Sequence, residues 1–177
     1  MTNFTRVAEM NVAFGNPKGD PSNIDFDRVR SQTMNIADEF GETMIALGAH
    51  PATVKAAVEN LKLACRPVMN GDHIDLNGVR DGLCDMHVFA YGSHHLMGID
   101  ADKDMNAVVD GVMTRFIKDH DDKNATILRH YNKGVSKVYF EGQFPTMVMK
   151  SAIDQPDAPK GKFLKSASYT DTVFPPI

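Results

Sequence analysis

The chain has 177 residues, 42% of them hydrophobic and 24% charged, with a formal net charge of −4 at pH 7. That length can bury a core of its own and reads as a single domain over 1–177, of ordinary globular composition rather than a disordered or fibrous one. The acidic balance gives no general attraction to DNA or RNA, and no apolar run approaches the roughly 18 residues a bilayer span needs, so no nucleic-acid and no membrane partner is expected. The opening MTNFTRVAEMNVAF lacks the basic start and long apolar centre of a signal peptide. Two cysteines, Cys65 and Cys84, make no disulfide framework and read as core fillers on apolar helix faces. The cytoplasm is the expected compartment.

In chain order, residues 4–14 have the pattern of a short amphipathic helix ended by Gly15, Asn16 and Pro17. The turn-forming run GNPKGDPSN follows, with Ser22 or Asn23 placed to cap the next helix. Apolar residues from Ile24 to Leu47 recur at helical spacing up to Gly48. Pro51 opens a third helix at the first-turn position where proline is tolerated, and that helix stops before Pro67. A fourth starts at Asp75 or Asn77 and runs to about Met97, and a fifth runs from Asp102 to about His120, with Phe116 on its inner side. Ala125–Tyr131 adds a further turn or two. From about residue 134 the period changes: VSKVYFEG and PTMVMKSA alternate around the Gly142–Pro145 turn and read as a β-hairpin. The remainder, rich in Pro, Lys and Ser, reads as an extended tail. The expected fold is an all-α bundle of about five helices (body about 1–133), with a small C-terminal hairpin and tail over about 134–177.

Two groups of carboxylates stand out against this frame. Asp38, Glu39 and Glu42 fall in NIADEFGETMIALG, and Asp81 and Asp85 in VRDGLCDMHVFAYG. Residues three or four apart share a helix face, so Glu39 pairs with Glu42 and Asp81 with Asp85. Their apolar neighbours predict that some of these acids point inward or into a cleft. Gathered carboxylates need a cation or proton between them, and hard oxygen ligands suit Mg²⁺ or Mn²⁺. Gly41 and Gly82 lie at helix-interior positions, where glycine costs about 1 kcal/mol relative to alanine and permits close approach. His94 and His95 are adjacent, point in different directions and make a weak ligand pair. No GxxxxGKS loop, GxSxG elbow or CxxC pair is present, which argues against P-loop, serine-hydrolase and zinc chemistry.

Asp38-Glu39-Phe40-Gly41-Glu42 resembles the EExxE motif of the all-α NTP pyrophosphohydrolases, the MazG and phosphoribosyl-ATP pyrophosphohydrolase superfamily. Asp85 matches the Asp of that family's later ExxD motif; its Glu position falls on Gly82, with Asp81 one residue earlier. The resemblance covers about residues 4–120. It implies metal-dependent hydrolysis of a nucleoside triphosphate to the monophosphate and pyrophosphate, with two or three Mg²⁺ or Mn²⁺ ions held by Glu39, Glu42 and Asp85. Asp38 or Asp81 completes the shell or takes the water's proton. It further implies phosphate contacts from Arg115 and from Lys162 and Lys165 in PKGKFLKS, base contacts from Asn11, Phe14 and Asn16, and a homodimer or homotetramer. The compact build resembles the phage branch, for which dGTP to dGMP, as in MazZ-like enzymes, is the first choice of reaction. A dUTP or general house-cleaning pyrophosphatase is the alternative enzyme. A helical binding or regulatory protein with a lost site is the alternative class, favoured by Gly82.

Overall fold

A computed structural model describes residues 2–66 and 74–176. Among these, six helices precede a small antiparallel sheet: α1 (Asn3–Ala13), α2 (Phe26–Ala46), α3 (Pro51–Ala64), α4 (Leu76–Met97), α5 (Ala101–Met113), α6 (His120–Tyr131), then β1 (Val138–Glu141), β2 (Val148–Ser151) and β3 (Phe163–Leu164). The fold is mostly helical, as expected, with one more helix and one more strand than the sequence pattern predicts. The chain divides into two compact units, Gly19–Cys84 and Met1–Lys18 with Asp85–Ile177, the boundary falling inside α4. Pro67, expected beyond the end of the third helix, lies outside the described residues.

In the unit Gly19–Cys84, Asp20 organises the entry turn, its Oδ1 accepting from the Ser22 backbone N–H at 2.9 Å and from the Ser22 hydroxyl at 2.7 Å. Ser22 is thereby committed, and the α2 cap falls not on Ser22 or Asn23 but on Asp25, whose carboxylate accepts from Arg28 N–H at 3.0 Å. Gly48, at φ +98°, ends the helix in the left-handed conformation that glycine takes without cost. Pro51 occupies the first turn of α3. The two helices pack at Gly41, which is buried; a Cβ there would lie 2.8 Å from Val58 Cγ2 and 3.4 Å from Val54 Cγ1. Asp75 starts α4 by accepting from Gly78 N–H at 3.0 Å.

In the other unit, α1 lies along α5. Asn3 donates to Asp102 at 2.6 Å, and the Arg6 guanidinium reaches Asn106 and Asp110. Asp100 caps α5, accepting from Asp102 and Lys103 N–H. The fifth helix stops at Met113, well short of His120. The Thr114 hydroxyl donates back to Gly111 C=O at 2.6 Å and accepts from Thr170 N–H at 3.0 Å, which turns the chain out of the helix. Phe116 (1% exposed) and Ile117 (0%) then enter the core, Ile117 forming an antiparallel bridge in which its N–H donates to Met147 C=O at 2.9 Å. Asp119 caps α6 by accepting from Asp122 N–H at 2.8 Å, so a full helix replaces the short 125–131 segment the pattern predicts.

The expected hairpin is present, with Val138 opposite Ser151 and Glu141 opposite Val148. The tail adds β3 to its other side, Met149 pairing with Leu164. Ile117, Val135, Met149, Ala158 and Leu164 form the core of this unit, flanked by Phe140 and Phe144. Beyond β3 the tail is held by polar groups. The Ser166 hydroxyl donates to Thr114 C=O at 2.7 Å, Ala167 N–H to the Thr126 hydroxyl at 2.8 Å, and the Ser168 hydroxyl to Asp122 at 3.0 Å. Thr126 and Ser166 are fully buried and satisfied.

Truncating Ile117 empties the centre of this core. Ile117→Ala should lower the free energy of unfolding by about 2–5 kcal/mol, whereas Phe4→Ala, at a side chain 84% exposed, should change it by no more than about 0.5 kcal/mol. Urea unfolding followed by circular dichroism measures both.

Candidate functional site

The first carboxylate group sits where α2 faces α3. Asp38 and Glu42, one helical turn apart, line a cleft of about 320 Å³ together with Lys55 and Glu59 of α3, floored by Gly41 and Val58. The glycine sets the depth of this cleft, because it lets the α3 valines reach the α2 backbone. Asp38 is half-buried, and both its oxygens accept from Lys62 Nζ at 3.1 Å. That hydrogen bond holds the Lys62 ammonium above its ordinary pKa, with the Asp38 and Glu59 charges adding to it. Glu39 and Glu42 are exposed, and their carboxylates have no hydrogen-bond or ion-pair partner among the described residues. Glu39 lies outside the lining of this cleft, so the pair that shares it is Asp38 with Glu42.

Asp81 and Asp85 lie one turn apart on α4, both exposed and both without a partner among the described residues. The apolar neighbours that predict burial of these acids are themselves at the surface: Phe40 is 64% exposed and Phe89 75%. The expectation that the carboxylates point inward is therefore corrected, apart from half-buried Asp38. The same reason overturns the reading of Cys65 and Cys84 as core fillers, since both are exposed. Among the described residues, no three of His, Cys, Asp and Glu converge on a metal position. His94 is tied by Nδ1 to Ala90 C=O at 2.9 Å, with Nε2 4.0 Å from Asp104.

The remaining candidates lie in the other unit. Asn11 donates to Val7 C=O at 2.9 Å, and Asn16 N–H donates to Asn11 C=O at 2.8 Å, so both close the end of α1. Phe14 packs in an aromatic cluster, its centroid 4.7 Å from Phe116 and 5.3 Å from Phe163. Arg115 follows the end of α5; its Nε is buried without a hydrogen-bond partner among the described residues, and its guanidinium lies 5.7 Å from the Tyr169 ring centroid. Lys162 and Lys165 come together on the wall of a cavity of about 490 Å³, where Arg129 and Lys133 of α6 join them. Buried His130 shares that wall and donates from Nε2 to Lys165 C=O at 2.9 Å.

Lys55, Glu59 and Lys62 are functional candidates that the carboxylate pattern leaves out. Their spacing of i, i+4 and i+7 puts them on one face of α3, a signal that becomes legible once that face is known to meet α2. Arg129 and Lys133 are likewise one turn apart. No family model matches the chain, and neither a curated protein nor a solved structure gives a significant match.

Two outcomes follow from this geometry. Gly41→Ala should destabilise the protein by about 1 kcal/mol, overpacking of about 1–3 kcal/mol against Val58 being partly offset by a helix-propensity gain of about 1 kcal/mol. Adding Val58→Ala should show a favourable coupling in a double-mutant cycle of urea unfolding, since it removes the colliding methyl. Burial pushes the His130 imidazole below its ordinary pKa of 6.5, and the Lys133 and Arg129 charges push the same way, more than the Lys165 carbonyl opposes. The unfolded chain therefore takes up the proton first. Stability should fall as pH drops below about 6.5 toward the lowered native value. His130→Gln should flatten that slope in urea midpoints measured between pH 7.5 and 5.5.

Proposed function

We propose that this chain is a metal-dependent nucleotide pyrophosphohydrolase, hydrolysing a (deoxy)nucleoside triphosphate, with dGTP first, to the monophosphate and pyrophosphate. The observation that carries the reading is the α2 carboxylate row, with Asp38 and Glu42 lining the α2–α3 cleft and Glu39 outside it, in which Glu39 and Glu42 keep oxygens that no protein cation neutralises among the described residues. The donor set fits Mg²⁺ or Mn²⁺ chemically, being all carboxylate oxygen with neither thiolate nor imidazole among the chosen residues. Glu39, Glu42 and Asp85 are the chosen ligands. A bound divalent ion supplies charge to hold the triphosphate oxygens and to favour attack by water.

The chain's own residues have separate tasks. In this reading Asp38 or Asp81 accepts the proton of the attacking water. In Asp38 that role competes with Lys62, which already donates to both of its oxygens. Arg115 meets phosphate charge, and Asn11 and Asn16 offer amides to the base. The reading includes a second copy of the chain, because α4 leaves Val88, Phe89 and Leu96 63%, 75% and 87% exposed, an apolar surface of the kind a partner covers. No helix among the described residues is long and apolar enough to cross a membrane.

Incubation with each ribo- and deoxynucleoside triphosphate and Mg²⁺ or Mn²⁺, followed by chromatography, should yield dGMP and pyrophosphate from dGTP. Orthophosphate or a diphosphate product overturns the proposed cleavage, a uracil nucleotide as sole substrate moves the reading to a dUTP pyrophosphatase, and no turnover favours a helical binding protein. Mn²⁺ should raise the melting temperature by binding the folded chain. Glu39→Ala should abolish that rise and lower kcat at least about 100-fold, a loss of about 2.7 kcal/mol of transition-state stabilisation.

A further inference from the structure

The cavity at the end of α6 has an electrostatic character opposite to that of the chain. Against a net charge of −4 for the whole sequence, its wall carries Arg129, Lys133, Lys162 and Lys165, and a single acid, Asp157. None of these four cations forms an ion pair with a carboxylate among the described residues. Their polar contacts are to neutral groups: Arg129 Nη1 donates to Ser166 C=O at 2.8 Å, Lys162 Nζ to Asp157 C=O at 2.6 Å, and Lys165 Nζ lies 3.8 Å from the Tyr169 ring centroid. The dipole at the end of α6 accounts for cations in its last turn, which covers Arg129 and Lys133. It does not account for two further lysines brought in from the tail on either side of β3. Four like charges held around one cavity repel one another, and the arrangement is relieved by an anion between them. Burial is the main cause of the lowered His130 pKa, and the Lys133 and Arg129 charges add to it in the same direction.

The lining also includes an apolar wall formed by the buried Val135, Ala158 and Leu164. Its volume of about 490 Å³ falls in the range that holds a small molecule. We propose that this cavity, between the C-terminal end of α6 and β3, is a binding site for a phosphate-bearing organic anion, its phosphates met by Arg129, Lys133, Lys162 and Lys165 and its organic part lying on the apolar wall. The cations are the protein's own, so binding here needs no divalent ion. This separates the site from the carboxylate chemistry of α2.

Calorimetric titration of the full chain in EDTA and low salt, with dGTP and with inorganic triphosphate as probes, tests the assignment. Both should bind at one site per chain, dGTP at least threefold more tightly. Lys133→Glu with Lys162→Glu, both at exposed positions, should weaken both probes at least tenfold while leaving the circular-dichroism melt in place, and the milder Lys133→Gln should weaken them in the same direction. Glu39→Ala should bind both probes as the unaltered chain does. Absence of binding in EDTA, or equal binding by the charge-reversed chain, overturns the proposal; equal affinity for the two probes overturns the role of the apolar wall. EDTA silences a metal-dependent site, so failure here leaves the hydrolase reading standing, and loss of hydrolysis leaves this site standing.

Discussion

The burial of Phe116 and Ile117 is the constraint on which the larger unit depends. Extending α5 to His120 would keep both residues on a helix face, but it would leave Met147 without the backbone N–H that Ile117 gives it. Breaking the helix at Thr114 costs several helical hydrogen bonds. The return is two fully buried apolar side chains, on the order of 1.5–3 kcal/mol each, together with a bridge that fixes the hairpin beside them. The position of α6 follows, because Asp119 must begin a new helix only two residues after Ile117. The tail follows in turn: Thr114 C=O, Thr126 and Asp122 are the groups on which Ser166, Ala167 and Ser168 dock.

The unit Gly19–Cys84 is built on a different economy. The described residues of its helices bury almost nothing fully except Gly41, and α2 meets α3 through that glycine and two valines. Carboxylates on such a hairpin stay hydrated, so Glu39 and Glu42 carry their charges without the large desolvation cost of buried ions. The same openness limits how strongly they can act. In high dielectric, repulsion between two exposed acids is of order 1 kcal/mol, too weak to hold a cation by its relief alone. A working site on these residues therefore needs convergent oxygens from further groups, whether α4, substrate phosphate or a second copy.

Much of the helical part was legible in the sequence because its punctuation is local. Gly15, Gly48 and Gly98 all take positive φ, and Pro51 sits at N1, so each end could be read from a single residue type. Three features were not legible. The α5 break depends on Met147 and Thr170, more than 30 residues downstream. The β3 pairing involves two residues, too short for any alternating pattern to reveal. The exposure of Phe40, Val88, Phe89 and both cysteines inverted the usual inference from hydrophobicity to burial, since periodicity identifies an apolar face without saying whether this chain covers it. In the candidate site, helix spacing pairs Glu39 with Glu42, whereas the residue that shares the cleft with Glu42 is Asp38; that pairing and the capture of Asp38 by Lys62 required knowing which face of α3 looks at α2.

The distribution of charge bears on how a polyphosphate would meet this protein. Among the described residues, Glu39 and Glu42 on α2 and Asp81 and Asp85 on α4 have no cationic partner, and Arg129, Lys133, Lys162 and Lys165 at the end of α6 and on the tail have no acidic one. An anion approaching the first group meets repulsion unless a divalent ion is present, whereas at the second it meets attraction that salt screens over about 10 Å at 0.1 M. The two features are therefore separable by solution conditions. The binding proposed at the lysine-lined cavity would weaken with ionic strength and be indifferent to EDTA, whereas the metal-dependent chemistry proposed at the carboxylates would be abolished by EDTA.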